Sequence, residues 1–287
     1  MTPVPIDRSP EELGRLFERV ERAALSELHA AASPPVAGPL GLRIDEVGGA
    51  LLSMASAIPS IVINRALGLG VGVPAREADV AAVRERYREA GVGRHLVHLD
   101  PSAEPAGLRE WLEDAGYVPH RGWAQFVRSA DAPPSPGRSD LQVREIGEDR
   151  AREFARIVAA GFDLTPQATP LLAALAGRPG WHLYMTFDGE TPAGAAALFV
   201  HGGHGWCDWA STHPAHRRRG SQHALLCRRI AAAGKLGCTL LFTETGEAVE
   251  GDPQHSYHNI ERVGFRRFAV RENRVLVRAR GPRASQG

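Results

Sequence analysis

A basic turn between a strand-like run and a helix-like run carries the residue types that point most directly to chemistry. Residues 206–212 are largely apolar, as in a buried strand, and residues 224–231 repeat apolar side chains at helical spacing. Between them, residues 213–222 (HPAHRRRGSQ) hold three consecutive arginines and a glycine. Glycine lets a backbone approach an anion, helix N-terminal amides point at it, and guanidinium groups pair with phosphate oxygens. The turn therefore predicts a pyrophosphate site; the alternative is a solvated arginine-rich loop.

This stretch resembles the acyl-CoA loop of the GNAT acetyltransferases, whose pattern is Gln/Arg-x-x-Gly-x-Gly/Ala. Arg217, Gly220 and Gln222 take the three defined places. Gln222 departs from the small residue of the pattern, although its amide N–H can still donate. The resemblance implies that acyl-CoA lies between two splayed parallel strands, one before the loop and one after the next helix. It also implies that acetyl-CoA is the co-substrate.

The resemblance assigns the acyl-CoA contacts residue by residue. The pantetheine arm would pair with open backbone groups of residues 210–212, as an added strand does, and the pyrophosphate would meet the amides of residues 218–223. Two polar residues on one face of a later helix, three positions apart, would add hydrogen bonds to the arm. The cofactor-binding residues expected in this way are Ala210, Ser211, Thr212, Arg217, Arg218, Arg219, Gly220, Ser221, Gln222, His223, Ser256 and Asn259.

Acetyl transfer to an amine needs a base, donors for the oxyanion and a proton for the leaving thiolate. Glu244 is our first candidate for the base, because it stands at the end of a strand-like run that faces the proposed cleft. A carboxylate among apolar neighbours has a raised pKa and can accept a proton. Asp208, on the paired strand, is the second candidate. The alternative roles of Glu244 are to bind a substrate cation or to point to solvent.

Members of the GNAT family usually have a tyrosine, four residues before a Gly-Phe pair, that protonates the thiolate. Ile260 takes that position here, which departs from the family pattern. We predict that Tyr257, one helical turn away, substitutes for it. The alternatives are that Tyr257 is a surface or packing residue and that the thiolate leaves unassisted.

The amino-acid composition argues against several classes of protein. The 287 residues include 34 basic and 33 acidic side chains, a net charge of +1, which argues against a nucleic-acid or membrane-surface protein. Three cysteines without CxxC spacing argue against a disulfide framework or zinc site, and the histidines show no metal-binding spacing. The first 20 residues hold no apolar run, so we expect no secretory signal, and no run approaches the roughly 20 apolar residues of a membrane span. We therefore expect a cytoplasmic protein that uses no metal, nucleic acid or membrane.

A proline-rich stretch at residues 131–140 divides the chain. It holds three prolines and no large apolar side chain, which is typical of an exposed linker. After it, we expect strands over 141–146, 181–187, 193–200, 206–212 and 238–245, helices over 149–160, 167–177, 221–236 and 254–263, and one or two strands over 265–280. This is the GNAT order of elements. We therefore predict a catalytic GNAT domain at residues 141–287, an α/β (α+β) fold whose mixed central sheet has splayed parallel strands flanked by helices.

The first 130 residues contain a weaker copy of the same pattern. Residues 111–117 are helix-like and end in Gly-Tyr before a strand-like run at 123–128, just as residues 259–265 end in Gly-Phe before 274–278. Repetition of a unit indicates duplication. We therefore predict two tandem copies, with a degenerate GNAT-like domain at residues 1–130.

The copy lacks an Arg-x-x-Gly loop. Its nearest equivalent, residues 68–74 (GLGVGVP), has no basic side chain, and its proline removes an amide donor, so we expect no phosphate site there. A Rossmann-type nucleotide site on this run fails for want of an acidic residue at a strand end about 20 positions later.

The sequence thus predicts an acetyl-CoA-dependent N-acetyltransferase that acts on a primary amine of a small molecule or peptide. The amine would attack the thioester directly in a ternary complex. An acyl-CoA-binding sensor or scaffold without turnover is the alternative, favoured by Ile260 and disfavoured by Glu244. The sequence specifies neither the acceptor amine, nor the acyl chain length, nor the oligomeric state.

Overall fold

An eleven-stranded mixed sheet runs through both halves of the chain. The computed structural model describes residues 6–135, 137 and 139–277. In the first half the elements are α1 (Pro10–Ala31), α2 (Pro34–Leu40), β1 (Leu42–Val47), β2 (Ala50–Ala55), β3 (Arg65–Leu67), α3 (Glu77–Glu89), β4 (Arg94–Leu99), α4 (Leu108–Asp114) and β5 (Val118–Ser129). In the second half they are β6 (Gln142–Ile146), α5 (Ala151–Gly161), α6 (Thr169–Ala173), β7 (Trp181–Asp188), β8 (Thr191–His201), β9 (His204–Thr212), α7 (Ser221–Lys235), β10 (Leu240–Gly246), α8 (His255–Arg262) and β11 (Arg266–Val277).

The last strand of each half is inserted into the other half. The strands lie side by side in the order β1-β2-β3-β4-β11-β5-β10-β9-β8-β7-β6. Strand β11 pairs antiparallel with β4 and β5, and β5 pairs antiparallel with β10 and β11. Each half therefore depends on backbone hydrogen bonds to a strand that the other half supplies.

Helix α1 begins at a capping box and packs on the second half of the chain. The Ser9 hydroxyl accepts a hydrogen bond from the Glu12 amide at 3.2 Å, and the Glu12 carboxylate accepts one from the Ser9 amide at 2.9 Å. These bonds satisfy two amides that the helix itself leaves unpaired. Further along, the Phe17 ring packs edge-on against Trp206 and Phe242, with centroids 4.9 and 5.8 Å apart. The N-terminal helix therefore covers the strands that form the site.

The predicted fold class and the predicted order of elements after residue 140 are confirmed. The helix expected over residues 167–177 is shorter: a 3-10 turn leads into α6, and the chain then turns at residues 174–177, where Gly177 has a φ of +75°. The expected strand or strands over residues 265–280 are one strand, β11, and residues 278–280 lie outside the described residues. None of the helices in the described part of the chain is both long and apolar enough to cross a bilayer.

Strands β9 and β10 are parallel neighbours for a short distance and then separate. Residues 240–242 of β10 pair with residues 204–206 of β9, and no later pair joins the two strands. A β-bulge follows in β9, where Trp209 has a φ of +51° and the register against β8 shifts. At the point where β9 and β10 separate, which we call the fork, Thr243 Oγ1 donates to the Cys207 carbonyl at 2.9 Å. Beyond this point the two strands leave a gap between them.

The first half has a similar parallel pair, but its glycine-rich loop is packed by the chain itself. Strands β3 and β4 are parallel and joined through α3, as β9 and β10 are joined through α7. The Glu104 amide donates to the Gly70 carbonyl at 2.9 Å, and the Ala75 amide donates to the Glu104 carbonyl at 2.8 Å. A Cβ on Gly68 would lie 2.0 Å from the Glu18 carboxylate of α1. Residues from α1 and from the segment after β4 therefore fill the space around this loop.

Candidate functional site

The turn after β9 opens onto a cavity of about 630 Å³ at the N-terminus of α7. Arg218 and Gly220 have left-handed φ values of +63° and +80°, which direct the chain into the helix at Ser221. The first amides of a helix have no partner within it and are available to a ligand. The walls of the cavity include every predicted acyl-CoA residue except Arg219: Ala210, Ser211, Thr212, Arg217, Arg218, Gly220, Ser221, Gln222, His223, Ser256 and Asn259.

The Arg219 side chain binds two carboxylates outside the cavity. Its guanidinium group pairs with Asp140 and donates to the Asp188 carboxylate at 2.5 Å. The Ser139 hydroxyl donates to the Arg219 carbonyl at 2.9 Å, so the segment before β6 is fastened to this turn. In this structure the Arg219 guanidinium therefore pairs with two carboxylates and lies outside the cavity wall, unlike Arg217 and Arg218, although all three arginines were expected at the pyrophosphate.

Gln222, which departs from the small residue of the family pattern, connects α7 to α8. Its Nε2 donates to the Ser256 hydroxyl at 3.2 Å, and its Oε1 accepts from Asn259 Nδ2 at 2.8 Å. The long side chain lies across the gap between the helices instead of filling the turn. Ser256 and Asn259 are therefore held at the cavity by Gln222.

A second cavity, of about 320 Å³, lies where β9 and β10 separate. Its walls share Gly161, Ala210, Gln222 and Ser256 with the first cavity, so the two adjoin. Both predicted candidates for the base are in its walls, together with aromatic side chains and two arginines: Arg65, Trp123, Phe162, Asp208, Trp209, Arg229 and Glu244. The arrangement brings the N-terminus of α7 and two carboxylates to one continuous cleft.

Glu244 is held in a buried group of four charges instead of among apolar neighbours. Arg271 Nη2 donates to it at 2.7 Å and Arg65 Nη1 donates to it at 3.2 Å. The same two arginines bind Glu21 of α1, with Arg271 Nη1 at 2.7 Å and Arg65 Nη1 at 3.2 Å. The four side chains come from α1, β3, β10 and β11, so both halves of the chain contribute to the site.

The two carboxylates of this group differ in their pKa values. Burial, together with the negative charge of Glu21, raises the pKa of Glu244 to about 8, against the pull of Arg271 and Arg65. Burial alone would also raise the pKa of Glu21, but the adjacent Arg271 and Arg65 hold it below its ordinary value. A hydrogen bond from protonated Glu244 further favours the ionised form of Glu21. Glu244 is therefore the member of the pair that exchanges a proton near neutral pH.

Asp208, the second candidate, is fixed by the strand that carries it. Its carboxylate accepts from the Trp206 indole N–H at 3.0 Å and from the Trp209 amide at 2.7 Å. Burial is the main cause that raises its pKa, and these two donors and Arg65 oppose the rise. Both oxygens of Asp208 are hydrogen-bonded, as are both oxygens of Glu244, so Asp208 stays the second candidate for the base.

Tyr257 does not face either cavity. Its ring packs edge-on against Phe126, with centroids 4.9 Å apart, in the apolar core beneath α8. Ile260, at the place of the family's tyrosine, is in the wall of the smaller cavity. Tyr257 belongs to the wall of neither cavity, so the structure gives no support to the expectation that it protonates the thiolate.

Four charged residues of the site were not predicted from the sequence: Glu21, Arg65, Arg271 and Arg229. One signal was available for Glu21: it stands on the buried face of α1, in helical register with Phe17, Ala24 and Leu28, where a carboxylate needs a charged partner. The same signal was available for Arg229, which stands on the buried face of α7 with Leu225 and Ala232. Arg65 and Arg271 stand in strands whose pairing only the folded sheet reveals.

Several solved structures are similar to this chain. A GCN5-related N-acetyltransferase from Kribbella flavida matches with a TM-score of 0.64 and 15% identity, over 94% of this chain and 97% of that chain. A GCN5-related N-acetyltransferase from Sphaerobacter thermophilus matches with a TM-score of 0.58 and 17% identity, over 81% of each chain. A tandem GNAT protein from the clavulanic acid biosynthesis pathway matches with a TM-score of 0.54 and 15% identity, over 82% of this chain and 80% of that chain.

No protein-family model matches the sequence, and no curated protein shows a significant sequence match to it. The similarity is therefore one of architecture. It extends over most of the described chain, so it includes strands from both halves of the eleven-stranded sheet. The chain has the GNAT fold of the GCN5-related N-acetyltransferases.

Proposed function

We propose that this protein is an acetyl-CoA-dependent N-acetyltransferase that acts on a primary amine of a small molecule or peptide by direct attack in a ternary complex. The observation that carries the proposal is the continuous cleft from the N-terminus of α7 to Glu244, between two strands that separate at the bulge in β9. Fold similarity to acetyltransferases supports the broader class of acyl transfer. The proposed reaction uses no metal.

Three groups of residues support the proposed binding of CoA. The guanidinium groups of Arg217 and Arg218 and the amides of residues 218–223 would hold the pyrophosphate. Residues 210–212, which have no strand partner on the β10 side, would pair with the pantetheine arm. Ser256 and Asn259, fixed by Gln222, would add polar contacts from α8.

Glu244 is the proposed base. Its carboxylate has a pKa raised to about 8 and stands in the wall of the smaller cavity, so it can take a proton from the attacking amine. Asp208 remains the second candidate, on the opposite strand of the fork. We also propose that residues 1–130 are a degenerate GNAT-like domain, that residues 131–140 are a linker, and that the protein acts in the cytoplasm.

The first experiment is calorimetric titration of acetyl-CoA into the wild type, the Arg217→Ala/Arg218→Ala variant and the Arg219→Ala variant. We expect one site per chain, because the glycine-rich loop of the first half is packed by Glu104 and Glu18. Loss of two charge-assisted contacts, each worth ~1.5–3 kcal/mol, should weaken binding at least about tenfold. Arg219→Ala is the matched control from the same turn and should bind almost as the wild type does. Absence of binding to the wild type would remove the proposal.

A CoA-binding sensor or scaffold without turnover is the second candidate function. Ile260 at the usual tyrosine position favours it, as does the pairing of Glu244 with two arginines. Screening primary amines for thiol release separates the two. An enzyme releases CoA with at least one amine and loses this activity in Glu244→Gln, whereas a sensor binds acetyl-CoA and releases none.

A further inference from the structure

A fully buried arginine stands beside the fork of β9 and β10. Arg229, on the third turn of α7, is 1% exposed. Its Nε donates to the Leu225 carbonyl at 3.2 Å, and its Nη1 donates to the carbonyls of Ala197 at 3.1 Å and Asp208 at 3.3 Å. Among residues 6–135, 137 and 139–277, no carboxylate oxygen pairs with it. Burial lowers its pKa, yet an arginine keeps its proton in proteins.

The carbonyls that Arg229 binds mark the bulge itself. Ala197 of β8 pairs with Asp208 of β9, and the register shifts immediately after this pair. Arg229 therefore holds the point at which β9 bends away from β10. Its Nη2 has no hydrogen-bond partner among the described residues, and the side chain belongs to the wall of the smaller cavity.

The same cavity has no tyrosine to protonate a leaving thiolate. Ile260 takes that place, Tyr257 packs against Phe126, and the Thr243 hydroxyl is used by the Cys207 carbonyl. We propose that Arg229 is the cation that stabilises the CoA thiolate as it leaves, in place of a side-chain proton donor. This inference rests on the proposed function.

The step balances without a protein acid. The amine nitrogen bonds to the carbonyl carbon, the C–S bond breaks, and its electron pair stays on sulfur. The amine proton passes to Glu244, so one carboxylate of the cavity becomes neutral as the thiolate forms. A fixed positive charge stabilises a developing anion strongly where water is excluded.

Other charged groups also face this region and set the size of the effect. Asp208 and the ionisable side chains Cys207 and Tyr184 lie near Arg229 from β9 and β7. Arg65 and Glu244 face the cavity from β3 and β10. Once Glu244 takes its proton, three buried arginines (Arg65, Arg229 and Arg271) face two carboxylates, Asp208 and Glu21.

The test measures the thiol of bound CoA and needs no amine. The ultraviolet absorbance of the thiolate is followed against pH in the CoA complex, and the complex with desulfo-CoA, which has no thiol, is subtracted. The protein's own thiols do not interfere, because burial raises the pKa of Cys207, Cys227 and Cys238. Wild type is compared with Arg229→Gln and Arg229→Lys, each also in a Glu244→Gln background, because Glu244 itself titrates at about 8 and its charge would change beside the thiol.

Arg128→Gln is the matched control. Arg128 is also a buried arginine that donates to backbone carbonyls, those of Ser129, Val263, Asp131 and Ala132, but it lines neither cavity. Its variant loses the same kind of contact without changing the charge at the cleft.

We expect the pKa of the bound thiol to lie at least one unit below that of free CoA, a tenfold gain in thiolate at a given pH. Arg229→Lys should keep part of this shift, Arg229→Gln should lose it, and Arg128→Gln should keep all of it. Two outcomes would overturn this inference and leave the proposed function standing. One is a bound thiol with the pKa of free CoA, and the other is a pKa shift in Arg229→Gln as large as in the wild type. Failure of the wild type to bind either CoA or desulfo-CoA overturns the proposed function with it. If Arg229→Gln does not fold, the pKa of the bound thiol in the wild type and in Arg229→Lys still tests the inference.

Discussion

Glu21 and Glu244 bind the same guanidinium group, that of Arg271, from opposite ends of the chain. Arg271 donates to Glu21 at 2.7 and 3.1 Å and to Glu244 at 2.7 Å. The first helix of the protein therefore sets the electrostatic surroundings of the proposed base. Because the two carboxylates repel each other, a change at Glu21 must alter the protonation of Glu244.

Replacement of Glu244 by glutamine should abolish acetyl transfer without abolishing acetyl-CoA binding. A neutral amide cannot take the proton of the amine, and a general base contributes about 10²–10⁴-fold to rate. Arg65 and Arg271 keep Glu21 as their partner, so the fold should survive. Thiol release measured beside calorimetry checks both parts. Turnover that persists in Glu244→Gln and disappears in Asp208→Asn would move the role of base to Asp208.

The pH dependence of the reaction should reflect the raised pKa of Glu244. A base works only when ionised, so kcat/KM should rise with pH through about 8. Glu21→Gln removes the neighbouring negative charge, which lowers the pKa of Glu244 and moves this rise to lower pH. The profile of each protein, measured with the best amine of the screen, gives the answer.

The control for this prediction is Glu27→Gln, the same substitution on the same helix. Glu27 pairs with Arg178 in a partly exposed position, away from the group of four charges. It should leave the pH profile unchanged, and surface pairs of this kind contribute only about 0–1 kcal/mol. An unchanged profile in Glu21→Gln as well would show that Glu21 does not act on the base.

The basic turn between β9 and α7 could be predicted from the sequence because its determinants are local. A strand, a glycine in the left-handed region and a helix start follow one another within residues 206–226, and each leaves its own pattern. The order of elements after residue 140 could be predicted for the same reason. Periodicity and glycine stops report on neighbours along the chain.

The charge group and the strand exchange could not be predicted, since they depend on residues far apart in sequence. Glu21 and Arg271 are 250 positions apart. Periodicity fixes which face of a strand is buried but not which strand lies beside it. The partners of the Arg219 and Tyr257 side chains could not be predicted for a similar reason. Motif position gives no information on the carboxylates that bind Arg219 or on the core that receives the Tyr257 ring.

Replacement of Gly161 by alanine should weaken acetyl-CoA binding. A Cβ at this position would lie 1.8 Å from the Ser211 hydroxyl and 2.5 Å from its Cβ. Gly161 and Ser211 both line the larger cavity, so the required shift moves the backbone proposed to pair with the pantetheine arm. Overpacking of this kind costs about 1–3 kcal/mol, and we expect an affinity loss of several-fold with a lower melting temperature.

Gly38→Ala is the control, because it makes the same glycine-to-alanine change in a helix without a steric clash. Gly38 lies in α2 and has open space around the position of a Cβ. Calorimetry and thermal melting should find it equal to the wild type. If Gly161→Ala binds acetyl-CoA as tightly as Gly38→Ala does, the strand end at Ser211 is not part of the acyl-CoA site.

Neither half of the chain should bind acetyl-CoA alone. Strand β5 lies between β11 and β10, so a fragment of residues 139–287 lacks the strand that pairs with both. The same fragment lacks Arg65 and Glu21, which leaves Glu244 and Arg271 with only each other. We expect no cooperative unfolding transition and no binding by this fragment. Co-expression with residues 1–135 should restore both, because the exchanged strands can then pair across the two polypeptides. A fragment that folds and binds acetyl-CoA unaided would instead identify residues 141–287 as an independent domain, with the first half serving only the acceptor side of the cleft.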